Sequence, residues 1–168
     1  MVAEAGGTLR PTGPVFTVHV DLATPIDIGP VEGGFRRVIP IMGGRVEGEG
    51  FSGRVLESGA DWQLIRPEGY IDLDARYVLE IDPGEHIYIS NIGRRQLTPE
   101  ACADLIAGRP VDQSRAVSKG LTTMESGSPR LQWLNTQKFR PRGKRGPDGI
   151  EIGFYRLEPS DAGEHPWA

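Results

Sequence analysis

The chain predicts an all-β fold of about nine to ten antiparallel strands, a sandwich or a closed barrel, with one short inserted helix. Three observations carry that expectation. Short segments alternate apolar and polar residues along most of the chain, the period of a strand with one dry face. The 168 residues include 23 Gly and 14 Pro, which punctuate these segments with turns. A single stretch, 98–108, instead shows helical spacing.

Residues 1–12 read as a loose tail. In Phe16–Leu22 (FTVHVDL), Phe16, Val18, Val20 and Leu22 share one face, and Thr17, His19 and Asp21 share the other. Pro25–Gly34 reads as a loop. Phe35–Met42 (FRRVIPIM) is strand-like, with Pro40 implying an edge, a bulge or a break. Gly43-Gly44 punctuates, and Arg45–Gly48 begins a further strand. Phe51–Ser58 follows, closed by Gly59. Asp61–Arg66 and Tyr70–Ile81 are the arms of a hairpin around Pro67-Glu68-Gly69. After a turn at Pro83-Gly84, His86–Asn91 (HIYISN) is a strand.

Helix signals then cluster. Thr98 suits an N-cap, Pro99 the first helical position and Glu100 the first turn. Ala101, Cys102, Leu105 and Ile106 form the apolar stripe, and Gly108 and Pro110 end it. Strands are expected again at Leu121–Glu125, Arg130–Asn135 and Ile150–Leu157. Lys138–Pro147 (KFRPRGKRGP) reads as a basic turn, a loop or a lid. Residues 159–168 read as an acidic tail, leaving 13–158 as one barrel domain.

Composition narrows the function. A net charge of −4 argues against nucleic acid as a partner, since phosphate neutralisation needs a basic surface. The one cysteine, Cys102, precludes an internal disulfide and fits a reducing compartment. No apolar run is long enough to span a membrane as a helix, and no basic-then-apolar leader opens the chain. Cytoplasmic residence is therefore expected. The three histidines, His19, His86 and His165, are far apart and no metal-binding motif is present, so no metal is expected. No nucleophile elbow, phosphate loop or dinucleotide fingerprint occurs either, so no cofactor is expected.

Several motifs together resemble one known family. They are Gly34-Phe-Arg-Arg-Val-Ile-Pro-Ile-Met-Gly-Gly44, Gly59-Ala60-Asp61-Trp62-Gln63, Asp74-Ala75-Arg76-Tyr77, Ile87-Tyr88, Trp133-Leu134-Asn135 and Tyr155-x-Leu157. In this order they resemble the family known as domain of unknown function 3237, over roughly residues 14–158. The resemblance implies the barrel of the two, a compact calycin-like antiparallel β-barrel of about nine to ten strands with one short inserted helix, often oligomeric, found in bacteria and fungi, with no agreed activity. Some members are associated with pathways that process small aromatic or polyketide-like molecules. This chain has Met42 where Thr or Ser is commoner, which would retune a nearby pocket, and Glu68 where Asp is commoner.

The hairpin 61–77 carries the candidate chemistry. Strands disfavour Asp, yet Asp61, Asp72 and Asp74 sit beside Arg66 and Arg76. On the second arm, Ile71, Leu73, Ala75, Tyr77 and Leu79 make the dry face. Tyr70, Asp72, Asp74, Arg76 and Val78 make the other. That ladder is either a wet surface of weak ion pairs or one wall of a polar cavity. On the first arm, Asp61, Gln63 and Ile65 oppose Trp62, Leu64 and Arg66. Arg36 and Arg37 face opposite ways, so at most one enters a barrel lumen.

The expected catalytic set is Asp61 or Asp74 as base, Arg66 and Arg76 stabilising negative charge on an oxygen, and Tyr88 donating a proton. The expected substrate-binding set is Arg36, Arg37, Trp62, Gln63, Tyr77, Trp133 and Asn135. The reading is a barrel enclosing a small organic ligand, performing cofactor-independent acid/base chemistry of lyase, isomerase or cyclase type on an aromatic or carbonyl-bearing metabolite. Two alternatives stay open: a non-catalytic carrier or sensor of a small apolar ligand, and a structural homo-oligomer without a ligand. A homo-oligomer is expected in any case.

Overall fold

Ten strands pair edge to edge, all antiparallel, until the sheet meets itself. A computed structural model of the chain describes residues 13–158; the tails expected at 1–12 and 159–168 lie outside them. The strands are β1 (Phe16–Leu22), β2 (Ile26–Val31), β3 (Gly34–Glu47), β4 (Gly53–Val55), β5 (Gly59–Arg66), β6 (Tyr70–Ile81), β7 (Glu85–Gln96), β8 (Val117–Glu125), β9 (Phe139–Arg145) and β10 (Gly149–Arg156). Helix α1 (Pro99–Ile106) joins β7 to β8, and a 3-10 helix (Pro129–Asn135) joins β8 to β9.

Eight strands close the barrel, in the order β1-β3-β5-β6-β7-β8-β9-β10 and back to β1. The short β4 continues the place of β5 between β3 and β6, and β2 continues the place of β1 along β3. No helix among the described residues is long and apolar enough to cross a membrane.

Four segments depart from the sequence expectation. Residues 25–34, expected as a loop, contain β2, which among the described residues pairs with β3 alone and leaves Ile26 and Ile28 exposed. Residues 35–48 form one continuous strand. Pro40 fits inside it because its missing N–H falls where the β2 ladder has ended at Val38 and the β1 ladder begins at Ile41. The basic turn expected at 138–147 is strand β9, paired with β10 from Phe139 to Arg145. The strand expected at 130–135 is the 3-10 helix, with Pro129 in its first turn and Asn135 tied back to Ser126. Helix α1 does follow its signals: Thr98 caps it by accepting a hydrogen bond from the Ala101 N–H.

Both ends of the barrel are plugged. At one end Cys102 and Leu105 of α1 pack on Ile65, Ile71 and Leu73. At the other, Leu131 and Leu134 of the 3-10 helix join Phe16, Phe51, Phe139 and Phe154 in the main core. Burying each such side chain contributes about 1.5–3 kcal/mol. The space between the plugs is where inward side chains run short.

Candidate functional site

The cavity arises from what the inward positions lack. Ala75, Gly93, Gly120 and Gly143 line it from four strands and fill little of it. A hollow of about 310 Å³ results, walled by Leu22, Ile41, Leu73, Ala75, Ile150 and Ile152. It opens where β8 and β9 part: the two strands share a single bridge, Thr122 with Phe139. Beyond that bridge, Ser118 and Lys119 of β8 and Lys144 and Arg145 of β9 border the hollow. Gln113, Ser114 and Ala116 of the preceding loop border it as well.

Asp61 is the carboxylate on the cavity wall. Its strand places it opposite Ala75, whose methyl group leaves the carboxyl uncovered. Gln63 Nε2 donates to Asp61 Oδ2 at 2.7 Å, and the Asp74 backbone N–H donates to Oδ1 at 3.3 Å. Arg37, opposite Gln63 on β3, in turn donates to Gln63 Oε1 at 2.8 Å. This chain fixes both the glutamine amide and the carboxylate. Burial pushes the Asp61 carboxyl above the usual carboxylate range; the Gln63 and Asp74 hydrogen bonds and the nearby Arg95 and Arg37 oppose that shift only in part.

Around it stand other polar groups. Tyr77 is 2% exposed, and its hydroxyl has no hydrogen-bond partner among the described residues. Burial, and then the Asp61 charge, hold its phenol neutral far above the ordinary tyrosine range. Asn91 accepts a hydrogen bond from Thr122 at 3.1 Å and keeps its N–H donors for the cavity. Arg95 enters from β7, donating to Ser118 Oγ and to Gln113 Oε1.

The expected site residues divide sharply. Asp61, Gln63, Tyr77 and Arg37 converge on the lumen side. The others do not. The dry face of β6 (Leu73, Ala75, Tyr77) takes the interior, so Asp72, Asp74 and Arg76 must point outward. There Arg76 pairs with Asp74 at 3.0 Å, and Arg66 and Arg94 share Asp72. Asp74 touches the site through its backbone alone.

Arg36 shares the outer face with Leu64, and Trp62 is 48% exposed. Tyr88 and Asn135 border a shallow groove outside the barrel, where Asn135 bonds Ser126 and Gln132. Trp133 packs on Phe51 and Phe139 under the Arg156 guanidinium. Met42 is exposed and lines no part of the cavity.

Arg95 escaped the sequence reading, and Arg145 entered it only with Lys138, Arg140, Arg142 and Lys144 in a basic turn weighed as a contact for anionic partners and read as an exposed loop or lid. Arg95 was legible, since the alternation Ile87, Ile89 continues through Asn91 and Gly93 to place it inward. Arg145 was hidden by the Gly/Pro composition of a segment read as a turn. Among the described residues, no three His, Cys, Asp or Glu side chains are grouped as metal ligands.

The family described as protein of unknown function (DUF3237) matches residues 11–157. The chain belongs to that family. Among its DUF3237 relatives, a UPF0311 protein of Rhodopseudomonas palustris is 38% identical over 143 residues, covering 85% of this chain and 94% of the relative. A solved structure of a protein with unknown function from Clostridium acetobutylicum superposes with a TM-score of 0.79 at 34% identity, over 86% of this chain and 95% of that one. A β-barrel-like protein from Acinetobacter baumannii follows with a TM-score of 0.71 at 33% identity, over 87% and 94%. An enzyme from Penicillium herquei shares the fold, with a TM-score of 0.59 at 15% identity over 86% and 97%.

Proposed function

We propose that this barrel binds a small aromatic or carbonyl-bearing metabolite in its lumen and moves a proton on it, as a lyase, isomerase or cyclase does, with Asp61 as the group that takes and returns the proton. One observation carries the reading. A carboxyl group sits in the wall of an apolar hollow, oriented by Gln63 and by a backbone N–H, with burial raising its pKa. A carboxylate so placed is a stronger base than one in water, and its acid form persists closer to neutral pH. Gln63 and Arg37 act through hydrogen bonds as positioning residues. The Asn91 N–H donors are the groups suited to hold an oxygen on which negative charge develops. The likeness to a fungal enzyme supports only the barrel as a scaffold.

The test is solvent exchange. Aryl ketones with an acidic C–H, incubated with the protein in D2O, should show catalysed C–H to C–D exchange by NMR, and Asp61→Asn should abolish it while ligand binding persists. Exchange that survives Asp61→Asn removes Asp61 from this role. Binding with no exchange in any ketone favours the carrier. We also propose that the chain self-associates through β2, whose unpaired edge carries exposed Ile26, Ile28 and Val31. Sedimentation velocity of Ile28→Asp against the parent protein tests this, and an unchanged sedimentation coefficient refutes it.

A further inference from the structure

We propose that the lumen takes a monoanionic amphipathic ligand, an aryl or short aliphatic carboxylate, and that Arg95 and Arg145 hold its carboxylate near the β8–β9 opening. This rests on the small-molecule reading above and assigns the ligand's charge and its orientation.

Cations outnumber anions around the hollow. Arg95, Lys119, Lys144 and Arg145 border the hollow, against the single carboxylate of Asp61. The deepest cation of that set, Arg95, is 9% exposed, yet both of its hydrogen-bond partners are neutral: Ser118 Oγ at 3.2 Å and Gln113 Oε1 at 2.8 Å. Neither Arg95 nor Arg145 lies within ion-pair distance of a carboxylate among the described residues. A buried guanidinium without an anion is costly. Most buried charges are paired, and this one faces an open hollow instead.

The neighbours deepen the imbalance. Burial depresses the pKa of Arg95, and repulsion from Arg145 and Arg37 adds to it, against partial relief from Asp61. Arg37 is affected likewise by burial and by Arg145; its relief comes from Asp27 on the exposed β2 and from Asp61, whose own ionisation burial opposes. Three guanidiniums therefore crowd one end of the lumen. An anion placed between Arg95 and Arg145 cancels the repulsion and supplies the absent partner.

The chemistry of the walls sets the rest of the ligand. Guanidinium forks match the planar geometry of a carboxylate. Away from them the surface is Leu22, Ile41, Leu73, Ala75, Ile150 and Ile152, which suits an apolar body. A ligand with its carboxylate at the opening and its body inward carries its reactive carbon toward Asp61, not toward solvent.

The experiment compares two probes of nearly equal shape, 2-naphthoate and its neutral counterpart 2-naphthamide, by calorimetric and NMR titration of the full chain at pH 7.5. Naphthoate should bind about ten-fold more tightly, as a desolvated charge-assisted contact gives, with shifts at Leu73, Ala75 and Ile152. Arg145→Gln, at an exposed position whose side chain packs in no core, should bring the two affinities together. Arg95→Gln should do the same if that variant folds. Equal binding of both probes by the parent protein overturns the carboxylate assignment and leaves the small-molecule reading standing. A naphthoate preference undiminished in Arg145→Gln overturns the role of Arg145. Failure of both probes to bind overturns the assignment together with the reading beneath it.

Discussion

Removing one oxygen atom from the wall of the lumen should make this protein more stable. Tyr77 is almost wholly enclosed, and its hydroxyl lacks a hydrogen-bond partner among the described residues. A buried donor left unpaired costs about 1–3 kcal/mol. In Tyr77→Phe that cost disappears. What is lost in return is the dispersion of a single atom, about 0.1–0.2 kcal/mol for each contact it makes. The ring itself keeps its packing against the core. The net expectation is a gain of about 1 kcal/mol, or roughly 2–4 °C in Tm for a chain of this size. Urea unfolding followed by tryptophan fluorescence measures it, with an unchanged m-value as the check that both states are comparable. A variant less stable than the parent by about 1 kcal/mol or more would mean that the hydroxyl already has a strong partner, and the reasoning would fail. If the hydroxyl serves the bound ligand, the same variant loses affinity or exchange activity while gaining stability, a trade seen at functional sites generally.

Three other outcomes follow from the same geometry. The raised pKa of Asp61 means that the folded state holds its proton to higher pH than the unfolded chain does. Stability is therefore full below the ordinary carboxylate value and is lost as pH rises through the raised one; in urea midpoints taken from pH 4 to pH 8, the difference between the parent and Asp61→Asn should shift in that sense, and a flat difference refutes the burial argument. Ala75→Leu places a larger side chain opposite Asp61 and should abolish binding of any lumen ligand while changing stability by less than about 1 kcal/mol; retained binding measured by calorimetry places the ligand elsewhere. Asp74→Ala breaks a surface ion pair with Arg76 and should shift stability by less than about 0.5 kcal/mol, leaving exchange activity intact; a large loss of activity would return the outer ladder to the site.

The strands were readable because their signal is local, whereas their closure into a barrel was legible only through the family resemblance. Alternation in 16–22 and 70–81 marks strands with one dry face, and the capping residues at 98–100 mark the helix without reference to anything distant. The site was readable by half. Asp61 and Gln63 were singled out, but their direction was not legible, because Trp62 and Leu64 make the opposite face of that strand the more apolar one. The ladder Asp72, Asp74, Arg76 offered a denser cluster of charge, but it belonged to the wet side of a strand whose other side was plainly apolar. In a closed barrel that alone settles the direction. The place of Arg145 on a strand beside the hollow could not be found locally. Pro141 and Gly143 weaken the strand pattern of 139–145, and the segment becomes a strand only because Ile152 and Phe154 of β10 lie beside it. That is tertiary override of propensity.

The lone bridge between Thr122 and Phe139 divides the barrel's labour. On the far wall, β5, β6 and β7 are laced along their whole lengths, so the carboxylate of Asp61 is held still. On the near wall, β8 and β9 share that one bridge and a hydrogen bond from the Arg140 guanidinium to the Gly120 carbonyl. On the proposed function, substitutions along 141–145 would change which molecules are admitted without disturbing Asp61, and substitutions at 61–63 would change proton transfer without altering the opening. A single ring of strands thus lets selectivity and chemistry vary separately.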